Sequence, residues 1–133
     1  MLLELKEGGG RGTVTNCINE GEIIAENGKA SGIAHFFVTI NKCKNLGTVK
    51  GKTGASGITI ERYGGDIGTM KNSCNLGTVI CTGTGPAGGL TLANNTYNKI
   101  YNSYSVGVIK QEQQSSPVIS RDLWSKFNRR ILV

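Results

Sequence analysis

The chain has 133 residues, enough for one domain with a modest core, and its hydrophobic share of 38% includes few aromatics, only 6% of all residues. Its 20 glycines are far above average usage, while just 2 prolines and no Gly-X-Y period exclude collagen, and no apolar run approaches the ~20 residues of a membrane span. The net charge of +6 is uneven: residues 1–66 carry +1 and residues 67–133 carry +5.

Residues 1–12 begin MLLELKE, with charges breaking the apolar stretch and no basic leader ahead of it. A secretory signal is therefore not expected here, and any export signal would lie outside this chain. We assign residues 1–12 to a partial first coil or N-terminal cap, with LLEL as a strand.

From residue 13 the chain repeats itself. Residues 13–23 read TVTNCINEGEI, 39–49 read TINKCKNLGTV, 69–79 read TMKNSCNLGTV and 99–109 read KIYNSYSVGVI. Aligned without gaps, the second column is Val14, Ile40, Met70 and Ile100. The fifth is Cys17, Cys43, Ser73 and Ser103, and the seventh is Asn19, Asn45, Asn75 and Ser105. A glycine follows in every copy, at Gly21, Gly47, Gly77 and Gly107. A second motif trails the first three copies: ASGI at 30–33, ASGI at 55–58 and AGGL at 87–90.

No 3.6-residue period runs through these units, and short β segments with glycine corners fit them better. We therefore predict an all-β, parallel β-solenoid (β-helix) of about four coils over residues 13–110. Stacked coils put equivalent residues about 4.8 Å apart, so each column becomes a ladder. The Val14, Ile40, Met70 and Ile100 column is expected inside, with small Cys or Ser inward and Asn at the corner. The glycine after the Asn is expected to supply positive φ at the change of direction.

The stretch between the second motif and the next unit is short after the first copy but lengthens to TIERYGGDIG and then LANNTYN. Per-repeat insertions of this kind map to one flank, commonly the binding face. Arg62, Tyr63, Asn95 and Tyr97 are thus the expected binding residues, since aromatic rings offer a stacking face beside fixed donors.

Residues 111–133 are expected to form a polar linker and a short C-terminal capping helix. Ser120 would be its N-cap, and Leu123, Phe127 and Ile131 would make one apolar stripe over the open solenoid end. Its basic residues, Arg121, Lys126, Arg129 and Arg130, read as a solvated face, and no nucleic-acid partner is expected.

Few residues suggest chemistry. Cys17, Cys43, Cys74 and Cys81 lack the paired spacing of a zinc site, so no metal or cofactor is expected. Cys17 and Cys43 share a column, but parallel inward Cβ atoms about 4.8 Å apart exceed the usual disulfide geometry, so both are expected free and buried. Cys74 is displaced by one place and expected to be exposed; Cys81 is expected to be buried. His35 has no acid or nucleophile nearby in sequence, and Gly83-Thr84-Gly85 lacks the Lys-Ser/Thr of a phosphate loop.

The units NCINEGEI…ASGI, KCKNLGTV…ASGI and SCNLGTV…AGGL resemble GLUG-type repeats, over roughly residues 12–110. That family occurs in tandem within large bacterial surface and secreted proteins. The resemblance implies a repeat solenoid at the cell surface or outside the cell, part of a larger chain, with a structural or adhesive role and no active site. The expectation is therefore a non-enzyme that binds glycan or protein through loops on one flank. The alternative is a β-helical glycan-cleaving enzyme or tail-spike-like fragment, which needs carboxylates grouped on one face. An ice-binding face is a third reading, on the Thr13, Thr39 and Thr69 column, although one Thr per coil is sparse for it.

Overall fold

The computed structural model describes residues 12–36, 39–61, 68–92 and 99–113. These form a parallel β-solenoid in which every pairing joins strands of adjacent coils. One sheet stacks Thr13–Thr15, Thr39–Asn41, Thr69–Lys71 and Lys99–Tyr101 in register. After a two-residue corner comes a narrow sheet of Ile18–Asn19, Lys44–Asn45, Cys74–Asn75 and Tyr104–Ser105. The third sheet holds Glu22–Ala25, Thr48–Gly51, Thr78–Cys81 and Ile109–Gln111. The trailing motif makes a fourth from Lys29–Ser31, Gly54–Ser56 and Ala87–Gly88, and Ala34–Phe36 pairs with Thr59–Glu61 to complete the turn.

The interior follows the alternation of each strand. Val14, Ile40 and Met70 stack and are fully buried, with Ile100 partly buried at the last coil. Val49 and Val79 form a second buried column between Ile23 and Ile109, and Ala30, Ala55 and Ala87 form a third. Ile58 and Leu90, from the trailing motif, close the core against the first column. Burying such side chains contributes roughly 1.5–3 kcal/mol each, and this is the main stabilising term.

Polar columns inside are satisfied by one another. Asn19 Nδ2 donates to Asn45 Oδ1 at 2.7 Å, Asn45 Nδ2 to Asn75 Oδ1 at 2.8 Å, and Asn75 Nδ2 to Ser105 Oγ at 3.1 Å. The same amides reach the carbonyls of Gly21, Gly47 and Gly77. A second ladder runs through the Cys/Ser column: Cys43 N–H donates to Ser73 Oγ at 3.1 Å and Ser73 N–H to Ser103 Oγ at 3.2 Å. The two hydroxyls in turn donate to the carbonyls of Lys71 and Tyr101. Buried polar groups paired in this way avoid the cost of desolvation without a partner.

The glycines do a different job from the one expected. None of Gly21, Gly47, Gly77 and Gly107 lies in the left-handed region. That conformation belongs instead to the corner residues Asn16, Lys42, Asn72 and Asn102, with φ of 56°, 56°, 54° and 46°. Asn tolerates it best among residues with a side chain. The glycines answer to close approach: a Cβ on Gly47, Gly77 or Gly107 would run into the carbonyl oxygen of the glycine one coil before it.

The glycines at the third place of the trailing motif explain why the two motifs travel together. A Cβ on Gly32 would sit 2.9 Å from Asn45 Cγ, one on Gly57 would sit 2.5 Å from Asn75 Cγ, and one on Gly89 would press on Ser105. The interior is so thin there that the side chain of one wall fills the space that a glycine leaves on the other. The expected capping helix at 120–133 and most of the expected N-terminal cap lie outside the described residues.

Candidate functional site

Arg62, Tyr63, Asn95 and Tyr97, the binding residues expected from the sequence, all lie outside the described residues. The described surface must therefore be read column by column.

The inward columns are consumed by packing and by the ladders, so side chains free to meet a partner are the outward ones. On the first sheet these are Thr13, Thr39, Thr69 and Lys99, and then Thr15, Asn41, Lys71 and Tyr101. At the corner come Asn16, Lys42, Asn72 and Asn102, and on the narrow sheet Ile18, Lys44, Cys74 and Tyr104. Lys42, Lys44, Lys71 and Lys99 are all exposed, as are Tyr101 and Tyr104. Asn72 Nδ2 donates to Asn41 Oδ1 at 3.1 Å across the coils, which orders the corner. None of these four columns contains a carboxylate.

The next outward column, beside the glycines, is Glu20, Leu46, Leu76 and Val106, with the three apolar members exposed at 42%, 44% and 50%. Beyond it the third sheet mixes charges, and Lys50 Nζ lies 3.2 Å from Glu22 Oε1. Cations without acids thus mark one side of the solenoid, and paired charges mark another.

None of the four cysteines forms a disulfide, as expected for Cys17 and Cys43. Cys43 is buried and Cys17 half-buried, so Cys17 departs from the expected burial. Burial pushes the Cys43 thiol above its ordinary pKa, with a hydrogen bond from the Cys17 backbone acting the other way. Cys81 is buried as expected. Cys74 does point outward, yet it is only 5% exposed, because its sheet neighbours Lys44 and Tyr104 flank it one coil to either side. A side-chain hydrogen bond with Cys74 raises the Tyr104 phenol above its usual value. Sequence position identified the face of Cys74 but not the bulk of the residues stacked beside it.

His35 is exposed and meets the Phe36 ring edge-on at 4.6 Å. Among the described residues no three His, Cys, Asp or Glu side chains come together as a metal site would require. No described helix is long and apolar enough to cross a membrane. The lysine–tyrosine corner was not anticipated from sequence. Its signal was present in the outward places of each unit, where Lys, Asn and Tyr replace acids.

Comparison with family models, with curated proteins and with solved structures found no match for the chain.

Proposed function

We propose that the chain is a non-catalytic structural or adhesive repeat module of a cell-surface or secreted protein, exported as part of a larger chain, that binds glycan or protein through one flank. The observation that carries this reading is the allocation of side chains. The inward Asn, Ser and Cys columns are committed to ladder hydrogen bonds, which leaves exposed outward columns to meet other molecules. The repeats' resemblance to the GLUG-type family supports the same reading and its setting at the cell surface. A solenoid can vary its outward columns and inserted loops without disturbing the ladders, so recognition belongs there. Arg62, Tyr63, Asn95 and Tyr97, the binding residues expected from the sequence, belong to this proposal.

The test is a glycan array and a protein pull-down with the purified chain, alongside an assay for new reducing ends on every glycan bound. Capture of a glycan or protein without turnover is the expected result. Turnover of any bound glycan would overturn the non-enzyme reading and favour a glycan-cleaving β-helix.

A further inference from the structure

We propose that the corner between the first and the narrow sheet is a binding surface for a linear polyanionic glycan, one bearing carboxylates or sulfates. This inference rests on the binding reading above and names the ligand class and the wall that takes it. Lys42 and Lys44 come from the second coil, Lys71 from the third and Lys99 from the fourth, so the cations are spread along the stacking direction. Successive coils advance by about 4.8 Å, and because the four lysines stand on four different columns they form an oblique row across the corner, from Lys44 on the narrow sheet to Lys99 at the start of the first sheet. A polymer with regularly repeated anions can meet such a row at several points at once, whereas a small anion can meet it at one.

Charge complementarity selects the sign of the partner. The four columns of the corner hold these lysines and no carboxylate, while the described Glu20, Glu22, Glu26, Glu61 and Glu112 fall elsewhere along the coils. A segregated patch of this kind attracts polyanions over a range that salt shortens.

The neutral side chains select the class. Asn41, Asn72 and Asn102 each present an amide that both donates and accepts, which suits sugar hydroxyls; a phosphodiester backbone offers acceptors only. Tyr101, at 50% exposure, stands beside Lys71 in the adjacent coil and offers a flat face to a sugar ring. All four cations are lysines, so among the described residues no guanidinium fork is present at the corner to grip phosphate through two parallel bonds.

The experiment measures retardation of the native chain in gels containing polygalacturonate, dextran sulfate or neutral dextran, and binding of a single-stranded oligonucleotide in solution. Retardation by at least one of the two anionic polymers and none by dextran is expected, with the affinity falling as salt rises. The pair of anionic polymers also tells carboxylate from sulfate recognition. The variant K44Q/K71Q/K99Q should weaken retardation about tenfold, since each exposed ion pair contributes little alone. The control K52Q/K110Q, which removes two exposed lysines elsewhere, should weaken it by less than about twofold. All these changes are outward-facing, and circular dichroism of each variant checks that the fold persists.

Tyr101→Ala should weaken glycan binding without changing its salt dependence. Equal losses from the two lysine sets would overturn the proposal, as would no retardation by either anionic polymer. Tighter binding of the oligonucleotide than of either glycan would assign the corner to nucleic acid instead. Failure here together with capture of a neutral glycan or a protein on the array would overturn this inference alone and leave the binding reading standing.

Discussion

The close approach of coils at the glycine column makes a sharp prediction. Replacing Gly77 with alanine puts a Cβ against Gly47 O, well inside the 3.0 Å that Cβ atoms respect, and 2.9 Å from Asn45 Nδ2. Neither neighbour can give way cheaply, because one is backbone and the other is held in the ladder. The two coils must part locally, and three of the bonds that hold them there are Leu76 N to Asn45 O at 2.8 Å, Gly77 N to Asn45 O at 3.0 Å and Asn45 Nδ2 to Asn75 Oδ1 at 2.8 Å. A buried hydrogen bond left unmade costs about 1–3 kcal/mol, so losing two of the three gives a destabilisation of roughly 2–6 kcal/mol. That is a large part of the ~5–15 kcal/mol that holds a domain together. The control is Gly28→Ala, where a Cβ meets nothing within 4 Å and φ is not left-handed, so the change should be neutral or stabilise by about 0.4–1 kcal/mol. Gly77→Asn separates the two explanations of the glycine. A left-handed backbone would accept asparagine, whereas a close approach rejects it as firmly as alanine. Urea denaturation followed by far-ultraviolet circular dichroism measures all three. A Gly77→Ala or Gly77→Asn protein as stable as the parent would refute the close-approach argument.

Four other outcomes follow from the same geometry. Ile40→Ala removes the centre of the fully buried column and should cost about 2–5 kcal/mol in the same urea experiment. Lys42→Asn places at the left-handed corner the residue that the other three coils use, and should stabilise by about 0.5–1 kcal/mol, seen as a raised denaturation midpoint. Ser56 Oγ is buried without a hydrogen-bond partner, so Ser56→Ala should be neutral or stabilise by about 1 kcal/mol, and a clear loss of stability would contradict that assignment. Because burial raises the Cys43 pKa, the unfolded chain binds fewer protons once pH passes about 8.5. Stability should be intact below that pH and decline above it, and Cys43→Ser, matching the serines of the later coils, should remove that part of the decline.

Much of the fold was legible from the sequence because a solenoid writes its contacts as a period. The residues that stack are the residues that align, so the columns through Ile40 and Asn45, and their order along the chain, needed no tertiary information. Burial of the Val14, Ile40 and Met70 column followed from strand alternation within each unit. The aligned motifs also implied that each of the first three sheets takes one strand from every copy.

What the period could not supply was distance across and between coils. The backbone separation at Gly77 decides that glycine is there for space, and the corner geometry decides that Asn72 carries the positive φ. Cys74 alternates outward as its sequence position implies, but the stacked Lys44 and Tyr104 bury it, since exposure depends on the bulk of the neighbours one coil away. The lysine corner likewise exists only after stacking. Lys44, Lys71 and Lys99 lie far apart along the chain, and the parallel register brings them to the corner between two adjoining sheets, where their fields add.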